Sequence, residues 1–203
     1  MNDPGFRDRL KHRVVEVARD ILRSYGLAGL QARKVAEGSG CSVGTIYNMY
    51  GNLDAVIITA NTETLAELRE ALLKVRNSGT NLAERLEALA MAYLDFAVER
   101  NHEWRAVFEH RLANKTVVPD CYRQSQAELF AIVEEILAPA VTNPELRREA
   151  ARALFAAVNG IISLALDEKL HAFDRAATER QIHFVISAVA AGLETGQVTA
   201  AGL

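Results

Sequence analysis

Side chains able to recognise nucleic acid recur within one short segment of the chain. Thr45, Tyr47, Asn48 and Tyr50 carry hydroxyl and amide groups at spacings that place them on the outer side of a short helix. Such groups hydrogen-bond phosphate oxygens and base edges, and Val43 offers a methyl surface that suits thymine. The residue types and their spacing therefore point to DNA recognition.

The surrounding residues supply the elements that would position these side chains. Two short helical patterns in the segment 31–50 are separated by Gly38-Ser39-Gly40, and Gly40 can take the positive φ of a tight turn. Cys41 and Ile46 can fill the corner between the helices. A pair of this kind predicts a helix-turn-helix, whose second helix enters the major groove. The alternative for the bare pattern is a helical hairpin that only packs.

The segment resembles the TetR family of bacterial transcriptional regulators. The resemblance covers roughly the first 68 residues and extends from a basic first helix to a capped fourth helix. Its motifs are Val35-Ala36, Gly40-Cys41-Ser42, Gly44-Thr45-Ile46-Tyr47, Met49-Tyr50 and Gly51-Asn52-Leu53. The chain departs from the family pattern in three places: Gln31 replaces a Thr or Ser, Met49 replaces an aromatic residue, and Leu53 replaces a Lys.

The resemblance implies particular roles for residues of the helix-turn-helix. Thr45 and Tyr47 would contact phosphates, while Val43, Gly44 and Asn48 would lie at base edges. The backbone N–H groups at the two helix starts can also bind phosphate. The candidate DNA-binding residues are Gln31, Arg33, Ser42, Val43, Gly44, Thr45, Tyr47, Asn48 and Tyr50.

Helical periodicity dominates the whole chain and no strand pattern is visible. We predict an all-α fold of about nine helices, in which an N-terminal three-helix helix-turn-helix domain precedes a helical domain for ligand binding and dimerisation. The predicted boundaries are 8–68 for the DNA-binding domain and 69–203 for the second domain. Helix eight, opened by Asn143-Pro144, is predicted to extend as far as Leu170, and helix nine to open at a Thr178-x-x-Gln181 capping box and end at Gly196.

The resemblance also implies a ligand pocket among helices four to eight. Aromatic residues are the candidates to line it, and Asn159, His110 and Cys121 are the polar candidates. Since few charges accompany them, we expect an apolar or aromatic effector, although each aromatic residue taken alone is compatible with an ordinary core. The candidate pocket residues are Tyr93, Phe96, Trp104, Phe108, His110, Cys121, Tyr122, Phe130, Phe155 and Asn159.

Helix eight is apolar on more sides than a helix with one buried face requires. We therefore expect helices eight and nine to form a two-fold interface between chains, the alternative being a central helix buried within one chain. A two-fold dimer matches DNA sites made of paired half-sites about 34 Å apart. The candidate interface residues are Leu154, Val158, Ile162, Ala165, Ile182, Val185, Ile186 and Val189.

Composition and charge favour a soluble cytoplasmic protein with a basic N-terminal end. Residues 1–34 hold eight basic and four acidic residues, whereas the chain as a whole carries a net charge of −3. A basic end on an acidic body suggests an anionic partner. The sequence contains no signal peptide pattern and no apolar run of the length that a membrane span needs. The two cysteines have no metal-site spacing, so no metal or cofactor is predicted.

These observations together predict a ligand-responsive DNA-binding transcriptional regulator that acts as a repressor. The expected partners are a palindromic double-stranded operator, a small apolar effector that releases it, and a second copy of the chain. The alternatives are an activator or a ligand sensor of the same fold without DNA binding, and, less favoured, a small helical enzyme. No nucleophile elbow, phosphate-binding glycine loop or metal motif supports catalysis.

Overall fold

The computed structural model describes residues 4–113, 117–167, 170 and 172–195. These residues form nine α-helices and contain no strand, which confirms the predicted all-α fold. The helices are α1 (Pro4–Gly29), α2 (Ala32–Ser39), α3 (Val43–Tyr50), α4 (Leu53–Val75), α5 (Leu82–Glu99), α6 (Asn101–Glu109), α7 (Asp120–Leu137), α8 (Pro144–Ala165) and α9 (Arg175–Glu194).

Most helix ends follow local signals, but two differ from the sequence prediction. α8 ends at Ala165 rather than reaching Leu170. α9 begins before the predicted capping box because Asp174 is its N-cap, and the Asp174 carboxylate accepts the N–H of Ala177 at 3.0 Å. The predicted stop at Gly196 lies outside the described residues.

The described chain divides into two compact units. The first contains the described residues of 1–67 and 99–126, and the second contains those of 68–98 and 127–203. α6 thus belongs with the N-terminal helices, although it follows them by some thirty residues along the chain. The functional boundary at residue 68 remains a prediction.

The core of the first unit joins α1, α2, α3, the first part of α4, and α6. Its apolar side chains are almost completely enclosed, as Val14, Val35 and Ile46 show at 0% exposure. Gly38 allows α2 to approach α1 closely, since a Cβ atom at this position would lie 2.7 Å from Cγ1 of Val17. This packing supports the two short helices from behind.

The second unit is built around α5, α8 and α9. Leu94, Ile162 and Ile182 are completely buried in it. Two side-chain pairs connect α5 with α9: an ion pair between Arg175 and Asp95 at 2.6 Å, and a hydrogen bond between Nδ1 of His183 and the Glu87 carboxylate at 3.1 Å. Because both pairs are largely exposed, apolar burial rather than charge stabilises this unit.

Candidate DNA-binding and regulatory sites

The turn between α2 and α3 is a Schellman motif centred on Gly40. This glycine has φ 69° and ψ 33°, the left-handed conformation that other residues rarely adopt. Its N–H donates to the carbonyl of Glu37 at 3.2 Å, and the N–H of Cys41 donates to that of Ala36 at 3.0 Å. These two bonds satisfy carbonyls at the end of α2 and fix the direction in which the chain enters α3.

The start of α3 is held by its own side chains. Ser42 is the N-cap, and its Oγ accepts the N–H of Thr45 at 3.1 Å. The hydroxyls of Ser42 and Thr45 lie 2.9 Å apart and share a hydrogen bond. Ile46 is 0% exposed and anchors the helix to the core of the first unit. α3 is therefore capped at its start and anchored along one side, as a recognition helix must be.

Three of the predicted recognition residues lie on the exposed side of α3. Tyr47 is 45% exposed, and Asn48 and Gly44 are also exposed. A phenol, an amide and an unobstructed stretch of backbone are thus presented together. These groups suit a phosphate contact, a base-edge contact and a close approach to the groove.

Two other predicted residues of α3 are turned inward. Tyr50 is half-buried, and its Oη donates to the carbonyl of Lys11 in α1 at 2.9 Å. Burial, with a smaller contribution from Glu63, raises the pKa of the Tyr50 phenol. Val43 is half-buried against the core of the same unit. Tyr50 therefore links α3 to α1, and its phenol is not presented as the sequence prediction expected.

The predicted residues of α2 are both exposed but differ in their surroundings. Gln31 is the N-cap of α2 and makes no capping hydrogen bond with its side chain. Arg33 pairs with Glu37 one turn later, with 3.0 Å between Nε and Oε1. An exposed pair of this kind is weak, so Arg33 can exchange Glu37 for a phosphate at little cost.

A network of charged residues joins α1, α4 and α6, and no sequence pattern indicates it. Glu103 is 1% exposed, and Nη2 of Arg23 lies 3.3 Å from its Oε1. Arg19 contacts Glu63 at 3.0 Å and Glu67 at 2.7 Å. Burial disfavours the charged guanidinium, but the hydrogen bond to Glu67 and the nearby carboxylates outweigh this and raise the pKa of Arg19.

The aromatic pocket candidates of the second unit form one cluster. The rings of Tyr93 and Phe155 have centroids 5.9 Å apart, and Phe130 meets Phe155 edge-on at 5.4 Å. The Tyr93 hydroxyl donates to Oδ1 of Asn159 at 2.7 Å. The cluster therefore combines apolar rings with one polar pair contributed by α5 and α8. Phe96 is also buried in this unit.

The remaining pocket candidates belong to the first unit. Trp104 and Phe108 pack with ring centroids 5.5 Å apart. Nε2 of His110 lies 2.9 Å from the Asp54 carboxylate. Tyr122 is half-buried, which raises the pKa of its phenol, and Cys121 is exposed. Each of the two units thus contains five of the ten candidates.

The predicted interface residues of α8 and α9 lie mainly on the inner faces of these helices. A side chain enclosed by its own chain has no surface to offer a partner, so the buried members are core residues. Val185 and Val189 are half-buried and stay candidates. The six buried residues are Leu154, Val158, Ile162, Ala165, Ile182 and Ile186.

The outer face of α8 and α9 also carries exposed apolar side chains, next to the polar Arg180 and Gln181. Phe184 is 74% exposed and Leu164 is 59% exposed. An open groove of about 420 Å³ runs along this face, and Ile161, Phe184 and Val185 contribute apolar side chains to it. Helix eight is apolar on several sides because one side forms the core and another forms this groove.

Within the described part of the chain, no group of three or more His, Cys, Asp or Glu side chains could hold a metal ion. No described helix combines the length and apolar character of a membrane span.

The C-terminal domain of the tetracyclin repressor-like proteins matches residues 86–198, which is more than half of the chain. The chain belongs to the TetR family. This match confirms the resemblance seen in the N-terminal helices, and it comes from the C-terminal part of the chain. TetR-family proteins are transcriptional regulators that bind DNA and small-molecule effectors, typically as dimers, so this chain is a regulator and not an enzyme. No curated protein sequence matches the chain.

Solved structures share the fold over nearly the full length. A transcriptional regulator from Rhodococcus sp. Rha1 has a TM-score of 0.70 at 22% identity, covering 91% of this chain and 97% of its own. A TetR transcriptional regulator from Rhodococcus sp. RHA1 has a TM-score of 0.64 at 18% identity, covering 89% and 96%. The fatty acid degradation regulator FadR from Bacillus halodurans has a TM-score of 0.64 at 18% identity, covering 87% and 93%. At these identities the similarity shows the fold alone.

Proposed function

We propose that this TetR-family regulator is a repressor that binds a palindromic operator as a homodimer and releases it when a small apolar molecule binds. The exposed face of α3 carries the proposal. Tyr47, Asn48 and Gly44 are presented on a helix whose start is capped by Ser42 and whose opposite side is anchored by Ile46. A rigid helix with polar groups on its outer side is suited to base readout in the major groove.

The DNA contacts divide into positioning and readout. The Tyr47 phenol and the hydroxyl of Thr45 bind phosphates, helped by Gln31, Arg33 and the backbone N–H groups at the starts of α2 and α3. Asn48 reads base edges, because a carboxamide can pair with adenine in the major groove. Gly44 lets the backbone approach the bases.

The proposed dimer uses the outer face of α8 and α9. Phe184 is the most exposed apolar residue of this surface, and it lines the groove together with Ile161 and Val185. Exposed apolar surface of this kind marks an interaction site. A second copy of the chain is the occupant we propose, because a two-fold pairing would place two recognition helices on successive half-sites.

The proposed effector site is the cluster of Tyr93, Phe130 and Phe155. Its aromatic rings favour an apolar ligand, and the Tyr93–Asn159 pair can hydrogen-bond a polar head group. The name of the fatty acid degradation regulator from Bacillus halodurans, which shares the fold, supports acyl chains as the first compounds to test. An effector that binds the free form more tightly than the DNA-bound form would shift the population towards release.

The test is selection of duplexes from a random-sequence pool by the full-length protein. We expect enrichment of an inverted repeat whose half-sites lie about one helical turn apart, and release of the selected duplex when palmitate or oleate is added. An enriched duplex without inverted symmetry would contradict the dimeric operator. Tighter DNA binding upon addition of the fatty acid would contradict the proposed sign of regulation.

A further inference from the structure

Asn61 is a polar residue of α4 at a buried position, where an apolar side chain would be expected. The residue is 1% exposed, and its Nδ2 donates to the carbonyl of Ala106 at 2.9 Å. Its Oδ1 is equally enclosed and accepts no hydrogen bond within the described structure. A buried amide that is only half satisfied costs stability. The reason for its presence must therefore be something other than stability.

The bond from Asn61 reaches the end of another helix. Ala106 is among the last four residues of α6, whose carbonyls cannot find donors within their own helix. Asn61 supplies such a donor from α4. Because one turn of a helix advances about 5.4 Å, a one-turn slip of α4 along α6 would break this bond. The bond thus specifies one axial position of α4 against α6.

Asp54 makes a second link on the same side of α4. One of its carboxylate oxygens lies 2.9 Å from Nε2 of His110, and the other accepts the N–H of Ala113 at 3.0 Å. Asp54 and Asn61 are seven residues apart, which is two turns of the helix. The two residues together hold the end of α6 and the residues that follow it.

The position of α4 determines that of α3, because the two helices are joined by a very short connection. Only residues 51 and 52 separate the two helices. Oδ1 of Asn52 accepts the N–H of Ala55 at 2.8 Å, which fixes the start of α4, and the bond from Tyr50 to Lys11 fixes the end of α3. A connection this short allows little independent movement of α3.

We propose that Asn61 is a positioning residue that sets the register of α4 against α6 and thereby the placement of α3 for base readout. This inference rests on the proposed DNA-binding function. A single buried polar side chain that specifies one register at a cost in stability is known from coiled coils. Base contacts demand accurate placement of α3, whereas phosphate contacts bind all sequences. Loss of the register should therefore weaken binding to the preferred sequence more than it weakens binding to DNA of any sequence.

The test compares Asn61→Leu with Thr64→Val in the full-length protein. Thr64 is a matched control because it lies on the same helix at 2% exposure, and among the described residues its hydroxyl bonds only to the Ala60 carbonyl of that helix, at 3.3 Å. The DNA probes are a duplex selected from a random pool by the wild-type protein and a scrambled duplex of the same composition. Each variant is also measured by thermal unfolding and by amide hydrogen exchange at residues 110–113.

We expect Asn61→Leu to change the melting temperature little, because removal of the unsatisfied Oδ1 offsets the loss of the donor to Ala106. Binding of the selected duplex should weaken about tenfold, and binding of the scrambled duplex should stay unchanged. The amides of residues 110–113 should exchange several-fold faster, while Thr64→Val leaves discrimination and this exchange unchanged. Unchanged discrimination in Asn61→Leu, or an equal loss on both duplexes with a lower melting temperature, would overturn the inference.

A second variant tests the inference if Asn61→Leu does not fold. Asp54→Ala alters a half-buried position and should reproduce the loss of discrimination and the faster exchange; unchanged values for both would count against the register role. Failure of the wild-type protein to select any duplex would refute the proposed DNA binding instead. Even then, the hydrogen-exchange measurement would test the link between α4 and α6 independently of DNA binding.

Discussion

The two tyrosines of α3 show how one residue type serves two purposes within a single helix. Tyr47 is 45% exposed, whereas the hydroxyl of Tyr50 is bonded to the Lys11 carbonyl. The sequence prediction placed both tyrosines on the outer side of α3. In a helix this short, with aromatic residues on two faces, the spacing does not show which face is buried. The direction of Tyr50 depends on where α1 lies, which local pattern does not reveal.

Tyr47→Phe should weaken the binding of operator and random duplexes by similar factors. The loss of one neutral hydrogen bond to phosphate corresponds to about 1 kcal/mol, or about fivefold in affinity. Fluorescence anisotropy with both duplexes measures this change. Tyr25→Phe, at a tyrosine of α1 that is 68% exposed, is the control and should leave both the melting temperature and DNA binding near the wild-type values. Equal operator affinity for Tyr47→Phe and wild type would remove Tyr47 from the contact set.

At the scale of the element, the helices themselves could be predicted well from periodicity and caps. Ser42, Asn143 and the left-handed Gly40 occur where the sequence places them. The charged network around Glu103 could not be predicted, because Arg23 and Glu103 are 80 positions apart and each looks like an ordinary surface residue of a helix. Nor could the inner face of α8 be told from its outer face, since both are apolar.

Leu53 at the start of α4 tests whether this position belongs to the core or to the DNA surface. The side chain is half-buried and packs against the apolar core of the first unit. We expect Leu53→Lys to reduce the free energy of unfolding by about 1 kcal/mol, because part of its apolar burial is lost. The slope of log affinity against log salt should stay unchanged in a titration with random duplex.

The exposed Ala66 on the same helix provides the control for added charge. Ala66→Lys should change neither the unfolding free energy nor the salt slope by a measurable amount. A steeper slope for Leu53→Lys, by about 0.9 and with an unchanged melting temperature, would instead assign this position to a phosphate contact.

At the scale of the whole molecule, dimerisation depends on the outer face of α8 and α9. Phe184→Glu would place a carboxylate in the proposed interface, where burial without a partner is costly. We expect the dimer dissociation constant to rise at least a hundredfold in sedimentation equilibrium. Phe6→Glu, at a residue of α1 that is 61% exposed, is the matched control and should leave assembly unchanged. A wild-type protein that sediments as a monomer would contradict the proposed interface.

Parallel selection of duplexes by the wild-type protein and the Asn48→Ala variant tests the central claim most directly. We expect the wild type to enrich an inverted repeat, and the variant to enrich the same repeat with relaxed preference at one symmetric pair of positions, since one side chain reads the same base in each half-site. Tyr25→Phe, outside α3, should reproduce the wild-type pattern. The absence of any enriched sequence, or identical preferences for wild type and Asn48→Ala at every position, would contradict the account in which α3 reads the operator.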